Sequence, residues 1–328
     1  MSVTTQHEQM VEELRAADKL LLTTHENPDG DALGSLLAMH GTLEQLGKDS
    51  VMYMSPDEFP LSHEYRHMTF DGLLGAAPDD LADRVVVFLD CGNIDRMPVD
   101  FLQEEGIKIL NIDHHHDNTK FGTVNLVVPE ASCTAEIVFD LARQLGAEVT
   151  AGIASSLYVG LVTDTGRFSY ENTSPSAHRM AADLIEAGVN THAVYRRLFE
   201  DLPFRRLELL ARALTTVARY EEGRITIAML SRSDFEETGA LESDSEGIVD
   251  HLRSVEGTKA AVLVRELLSD EKRGCRKVSL RATDGSVDVS VIARQLGGGG
   301  HRQAAGFTTR LSPEDLISTL RDQVAAQA

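Results

Sequence analysis

Four short apolar runs, KLLLTTH (19–25), SVMYM (50–54), VVVFLD (85–90) and IKILNID (107–113), mark out the first half of the chain. Between and after them, DALGSLLAMHGTLEQLG (31–47) and TAEIVFDLARQLG (134–146) carry apolar residues at helical spacing, and each closes on glycine as helices often do. Strand runs interleaved with helical segments restrict the chain to few architectures. The pattern predicts an α/β fold with a mostly parallel sheet covered by helices on both faces.

The pattern changes after about residue 190. THAVYRRLFEDLPFRRLELLARALTTVARY is charged, helical in spacing and interrupted at Pro203, and reads as a connector over 191–220. Beyond it, RITIAML (224–230), AAVLVREL (260–267), KVSLRA (277–282) and AGFTTR (305–310) are strand candidates. A last helix should start at SPEDL, with Ser312 as cap and Pro313 in the first turn. The organisation expected is a first domain over 1–190, the helical connector, and a second, smaller α/β domain over 221–328.

Composition limits the function. No stretch approaches the roughly 18 consecutive apolar residues of a membrane helix, and the first residues lack the basic start and apolar middle of a signal peptide. A soluble cytoplasmic protein is expected, with no membrane partner. Cys91, Cys133 and Cys275 form no C-x-x-C pair, which argues against a disulfide framework and against a thiolate zinc site. The net charge of −21, from 52 Asp plus Glu against 31 Lys plus Arg, repels long polyanions. A nucleic-acid substrate, if there is one, should be short, and long duplexes are excluded.

The ends of the apolar runs gather titratable groups. His25, Asp29 and Asp31 follow the first, Asp90 ends the third, Asp113, His114 and His115 end the fourth, and Asp164 follows the apolar helical run ASSLYVGLV. Ligands bind at the carboxyl ends of strands in open α/β sheets. A single aspartate there is commonly a cap or turn former, but so many coinciding point elsewhere. A carboxylate and imidazole set without thiolate suits manganese, iron or magnesium. About four carboxylates in one place repel strongly, and two divalent cations would neutralise them, with one carboxylate shared. Such a pair activates water and clamps phosphoryl oxygens during in-line displacement.

The segments HENPDGDALGS, FLDCG, IDHHH and VTDTGRF, in this order, resemble the four motifs of the DHH phosphoesterase superfamily. The resemblance implies that His25, Asp29 and Asp90 hold one metal, and that Asp31, Asp90, His114 and Asp164 hold the other. It implies that Asp113 orients a histidine and that His115 faces the scissile phosphate. The metals implied are two divalent ions, manganese first, with magnesium or cobalt as alternatives. GSVDVSVIARQLGGGGHRQAAGF (285–307) resembles the glycine-rich signature of the DHH-associated C-terminal domain, which would close a cleft over the substrate. Gly297 to Gly300 would let backbone N–H groups approach an anion, Gly298, Gly299 and Gly300 being the substrate-binding positions, and His301 and Arg302 would add donors. Arg281 matches a substrate-contacting arginine, although Ala282 stands where the family usually has serine.

Within the superfamily, the length leaves little room for the extra barrel of RecJ-type exonucleases, and the second domain lacks the Lys and Arg of pyrophosphatases. The stand-alone form resembles the bifunctional oligoribonuclease and adenosine 3′,5′-bisphosphate phosphatase group, which implies short RNA or a small nucleotide as substrate and a homodimer. Two alternatives stand beside it: a cyclic di-AMP phosphodiesterase, and a non-catalytic nucleotide sensor. HEYRH (63–67) fits the H-E-x-x-H zinc-protease pattern but follows a turn-rich stretch. In SCTAEIV (132–138), Ser132 or Thr134 is expected to cap a helix.

Overall fold

Alternate side chains of the apolar runs are buried on opposite sides, so each run is covered on both faces. The structure, a computed structural model, describes residues 3–97, 99–104, 106–300 and 302–327. It divides into two units, Met1–Asp201 and Leu202–Ala328. In the first, Lys19–Thr23 (β1), Asp49–Tyr53 (β2), Leu73–Leu74 (β3), Val85–Leu89 (β4), Ile109–Asp113 (β5) and Val124–Val127 (β6) form a parallel sheet in the order β3-β2-β1-β4-β5-β6.

Six helices accompany this sheet among the described residues: Val3–Ala16 (α1), Gly30–Gln45 (α2), Thr134–Leu145 (α3), Ala151–Asp164 (α4), Pro175–Glu186 (α5) and Thr191–Phe199 (α6). Leu20, Leu22, Val87, Leu89, Leu110 and Ile112 share one core with residues of all six. Leu21, Val86, Phe88 and Ile109 point the other way, into a cluster with Met97 and Leu102. Among the described residues, that second face is closed by loops and 3-10 turns at Leu81–Asp83, Ile94–Arg96 and Asp100–Leu102, not by α-helices. The expected helical cover of both faces is therefore corrected to one face. Pro56, Pro60 and Pro78 interrupt the β2–β4 connection, whose described residues hold short 3-10 turns and the two-residue strand β3.

The strand order reverses between β1 and β4, where the chain leaves toward β2 on one side and β5 on the other. The carboxyl ends of β1 and β4 thus border a crevice of the kind that receives ligands. α2 leaves that crevice and is buried continuously from Gly30 to Leu36. Gly34 permits this burial, because a Cβ there would sit 2.4 Å from the Ser156 carbonyl oxygen of α4.

In the second unit, Ala218–Tyr220 (β7), Ile225–Leu230 (β8), Ala260–Glu266 (β9), Arg276–Ala282 (β10), Gly299–Gly300 (β11) and Ala304–Thr309 (β12) form a sheet in the order β11-β12-β10-β9-β8-β7. Among the described residues of this sheet, only β8 and β9 pair in parallel. Here both faces carry helices. Val289–Gln295 (α10) and Pro313–Ala325 (α11) pack on one, through Ile292, Leu316 and Leu320. Phe204–Thr215 (α7), Arg232–Thr238 (α8) and Ile248–Arg253 (α9) pack on the other, through Leu209, Phe235 and Leu252. Ser312 caps α11 by accepting from the Asp315 N–H at 3.1 Å, with Pro313 in the first turn as expected. Of the segment 191–220, α6 belongs to the first unit while α7 and β7 belong to the second. No helix among the described residues is long and apolar enough to cross a membrane.

Candidate metal centre

β1, β4 and β5 end at the same edge, and their terminal residues meet the first turn of α2 and the last turn of α4. Donor atoms of His25, Asp29 and Asp90 lie within 4.8 Å of one another, as do those of Asp31, His114 and Asp164. Asp90 lies beside both groups, with His25 Nε2 3.6 Å from Oδ2 and His114 Nε2 3.8 Å from Oδ1. His114 Nε2 is 3.7 Å from Asp164 Oδ2. The six residues expected from sequence are thus brought together.

Each side chain is held by a partner that also explains its local sequence. Asp29 is the N-cap of α2, where Oδ1 accepts from the Asp31 and Ala32 N–H groups at 3.0 and 3.1 Å. Capping and ligation need not compete, since one oxygen caps and the other is left for a cation. Asp31 is buried and reaches the start of α3, accepting from the N–H groups of Thr134 at 2.6 Å and Ala135 at 2.9 Å. The expected cap by Ser132 or Thr134 is corrected accordingly: the N-cap position is Cys133, which makes no side-chain cap, and a distant aspartate takes the role. The Thr134 hydroxyl donates instead to Asp90 Oδ1 at 2.9 Å. Asp90 itself sits in the left-handed region, φ +57°, which turns its carboxylate across the strand ends.

The histidines are oriented through their Nδ1 atoms. His25 Nδ1 lies 2.7 Å from the Glu26 carbonyl and His114 Nδ1 lies 3.4 Å from the Ala131 carbonyl. With the proton on Nδ1 donated to each carbonyl, Nε2 would be left as the ligating nitrogen. His115 differs, because its Nδ1 is 2.7 Å from Asp113 Oδ1. Asp113 is fully buried and accepts a second bond, from Asn118 Nδ2 at 2.6 Å. Asn172 Nδ2 donates to Asp164 Oδ2 at 3.1 Å and to the Ser132 carbonyl at 2.8 Å. Asn118 and Asn172 were not singled out from sequence, and Thr134 was expected only as a helix cap. Asparagines two residues past a motif or in a loop carry no signal of this kind until the fold closes.

The charges of this cluster are out of balance without cations. Burial raises the Asp31 carboxyl well above its usual range, and repulsion from Asp90, Asp164 and Asp29 adds to it. Burial likewise raises Asp164 to about 7, with Asp29 and Asp90 contributing. Burial opposes ionisation of Asp90, but His25, His115 and His114 outweigh it and hold that carboxylate well below the usual range. For His115, burial opposes the charge, whereas Asp113 and Asp90 outweigh it and raise the imidazole to about 9. Carboxyls whose ionisation burial opposes, beside imidazole Nε2 atoms, are the arrangement two divalent cations would complete. The donor set therefore fits the implied metals.

The remaining expected residues lie in the second unit. Arg281, in β10, has its Nε 3.7 Å from Oδ1 of Asp250 in α9, and Arg302 donates to the Gly285 carbonyl at 2.8 Å. Gly299 and Gly300 pair with β12 as an edge strand. A Cβ on Gly298 would sit 2.1 Å from the Gly306 carbonyl and one on Gly300 2.5 Å from that of Ala304, so packing already requires glycine there. A Cβ on Gly297 or Gly299 would meet nothing within 4 Å. His301 lies outside the described residues. HEYRH forms a single 3-10 turn at His63–Tyr65, so its histidines share no long helix face.

Residues 19–161 match the model of the DHH family, N-terminal domain, and 223–327 match that of the DHHA1 domain. A Thermus thermophilus protein named bifunctional oligoribonuclease and PAP phosphatase NrnA is 36% identical over 309 residues, covering 92% of this chain and 87% of the relative. The chain belongs to the DHH family. A second relative of the same name, from Bacillus subtilis, is 24% identical over 91% of both chains. An exopolyphosphatase-related protein from Bacteroides fragilis has the same fold as this DHH chain, with a TM-score of 0.85, 24% identity, and coverage of 98% of this chain and 96% of that one.

Proposed function

We propose that the chain is a two-metal phosphoesterase that hydrolyses short oligoribonucleotides to mononucleotides and adenosine 3′,5′-bisphosphate to AMP. The observation that carries the reading is the convergence of two donor groups on Asp90 at the carboxyl edge of the sheet. The relative at 36% identity, whose name includes both activities, supports the substrate class. His25, Asp29 and Asp90 would hold one divalent ion, and Asp31, Asp90, His114 and Asp164 the other. Such ions would supply activation of water and neutralisation of charge developing on the phosphoryl oxygens.

The protein's own groups do the rest. Asp113 keeps the His115 ring oriented, and the imidazolium would donate toward the phosphoryl or leaving oxygen. Thr134 and the α3 N–H groups fix Asp90 and Asp31 before substrate arrives. In the second unit, Arg281, Gly298, Gly299, Gly300, His301 and Arg302 would serve nucleotide recognition. The net charge of −21 disfavours long RNA. Manganese as the resident metal, a homodimer and a cytoplasmic location are carried over from the family resemblance.

The test is turnover by purified protein with manganese on a linear diribonucleotide, a longer RNA, adenosine 3′,5′-bisphosphate and cyclic di-AMP. Mononucleotide from the dinucleotide and AMP from the bisphosphate are expected, with the longer RNA slower. Preference for the cyclic substrate would replace the reading with a second-messenger phosphodiesterase. Binding without any turnover would make the protein a sensor.

A further inference from the structure

Arg96 ends the 3-10 turn that follows β4 and is half-buried beside the metal centre. Guanidinium has five N–H donors. Among the described residues, the side chain of Arg96 makes one hydrogen bond, from Nη2 to His25 Nδ1 at 3.0 Å, and no ion pair. The two buried arginines, Arg84 and Arg265, are both matched to carboxylates, whereas half-buried Arg96 is not. The positive charge of Arg96 also reaches His115. A half-buried cation with donors to spare, next to His25 and His115, is placed to meet an anion that the protein does not provide.

The His25 contact shows how the guanidinium is held in reserve. His25 Nδ1 is 2.7 Å from the Glu26 carbonyl and 3.0 Å from Arg96. A ring nitrogen presents either a proton or a lone pair, so it donates to Glu26 or accepts from Arg96, never both. Ligation through Nε2, which faces Asp90 at 3.6 Å, requires the proton on Nδ1. That tautomer keeps the Glu26 bond and breaks the one from Arg96.

We propose that Arg96 is the cation of the first unit that binds the non-bridging oxygens of the substrate phosphate, parked on His25 in the metal-free protein and released when His25 takes a metal through Nε2. The inference rests on the phosphoesterase reading above. It adds a residue to the phosphate site and couples metal loading to substrate binding. The competing reading is a structural one, in which Arg96 props His25 in place for the metal.

Calorimetry separates the two. Manganese is titrated into wild-type, Arg96→Ala and Arg96→Lys protein, and AMP is then titrated into each metal-loaded form. Arg96→Ala should bind as many manganese ions as wild type, at least as tightly, because the competitor for His25 Nδ1 is gone. Its AMP affinity should fall roughly ten- to a hundredfold, as for a lost charge-assisted hydrogen bond. Arg96→Lys keeps the charge without the fork and should fall between. AMP affinity unchanged in Arg96→Ala, weakened manganese binding, or no AMP binding by the metal-loaded wild type would each overturn the proposal. Wild-type protein that binds AMP through Arg96 yet cleaves neither dinucleotide nor bisphosphate would overturn the proposed reaction and leave the role of Arg96 standing.

Discussion

Gly160→Ala adds one methyl group and removes no functional atom, yet it should disable the metal centre. Gly160 lies in α4 opposite the point where Asp31 meets the start of α3. A Cβ there would be 2.7 Å from the Ala135 Cβ and 2.8 Å from Asp31 Oδ1. Carbon contacts settle at about 3.5–4.0 Å, so either α4 moves by roughly 1 Å or Asp31 releases the Thr134 and Ala135 N–H groups. Alanine gains about 1 kcal/mol of helix propensity over glycine, and overpacking costs about 1–3 kcal/mol. The net loss is about 0–2 kcal/mol, or a fall in Tm of up to about 8 °C for a unit of this size. The effect on activity should be larger, because misplacing a reacting group by about 1 Å costs on the order of a hundredfold. Thermal melts, metal content and kcat on a dinucleotide read the three consequences separately. A folded variant with a modest Tm loss, depleted metal and a kcat down about a hundredfold is expected. Full metal content with wild-type kcat would refute the argument that α4 and Asp31 are in limiting contact.

Three other outcomes follow from the geometry. Asp90→Ala removes the carboxylate beside both donor groups, and should lose metal and abolish turnover at every pH; normal activity would discard the two-metal assignment. Asn118→Ala takes away the 2.6 Å donor to Asp113, so kcat should fall roughly tenfold while metal content stays at the wild-type level, and an unchanged kcat would count against the Asn118–Asp113–His115 chain. In the metal-free protein the Asp164 carboxyl is raised from 3.8 to about 7, chiefly by burial, so the folded state holds that proton more tightly than the unfolded state. Stability is then lost as pH rises from about 4 to about 7 and levels off above. His115, raised from 6.5 to about 9 by Asp113 and Asp90 against the effect of burial, adds a loss of the same sign at higher pH. Melts in chelator should show a lower Tm at pH 8 than at pH 5, restored by manganese; a Tm that rises with pH would contradict the assigned shifts.

Much of the first unit is legible in the sequence because burial of a parallel strand on both faces leaves a continuous apolar run. β1, β4 and β5 fall inside the runs at 19–25, 85–90 and 107–113. The run also announces its end, so His25, Asp90 and His114 could be placed at one edge without any contact being known. Helix starts that rest on local chemistry, such as Ser312 before Pro313, are equally visible. The cap of α3 is not, because its acceptor is Asp31, 103 residues away from Thr134. The glycine run shows the same limit from the other side. Its composition suggests anion binding, whereas the close approach of β12 supplies a packing reason for Gly298 and Gly300 that only strand pairing reveals.

The sequence by itself determined which residues could ligate metal and where each strand would deliver them, because residue type and apolar patterning are local properties. The tertiary structure decided how the residues of the site are held: Asp31 by the N–H groups of α3, Asp90 by Thr134, Asp164 by Asn172 and Asp113 by Asn118, with Arg96 brought against His25. It also decided that helices cover only one face of the first sheet among the described residues. Most of these are pairings between side chains or backbone groups far apart in the chain, and hydrogen-bond partners of that kind are chosen by close packing, which no local pattern encodes.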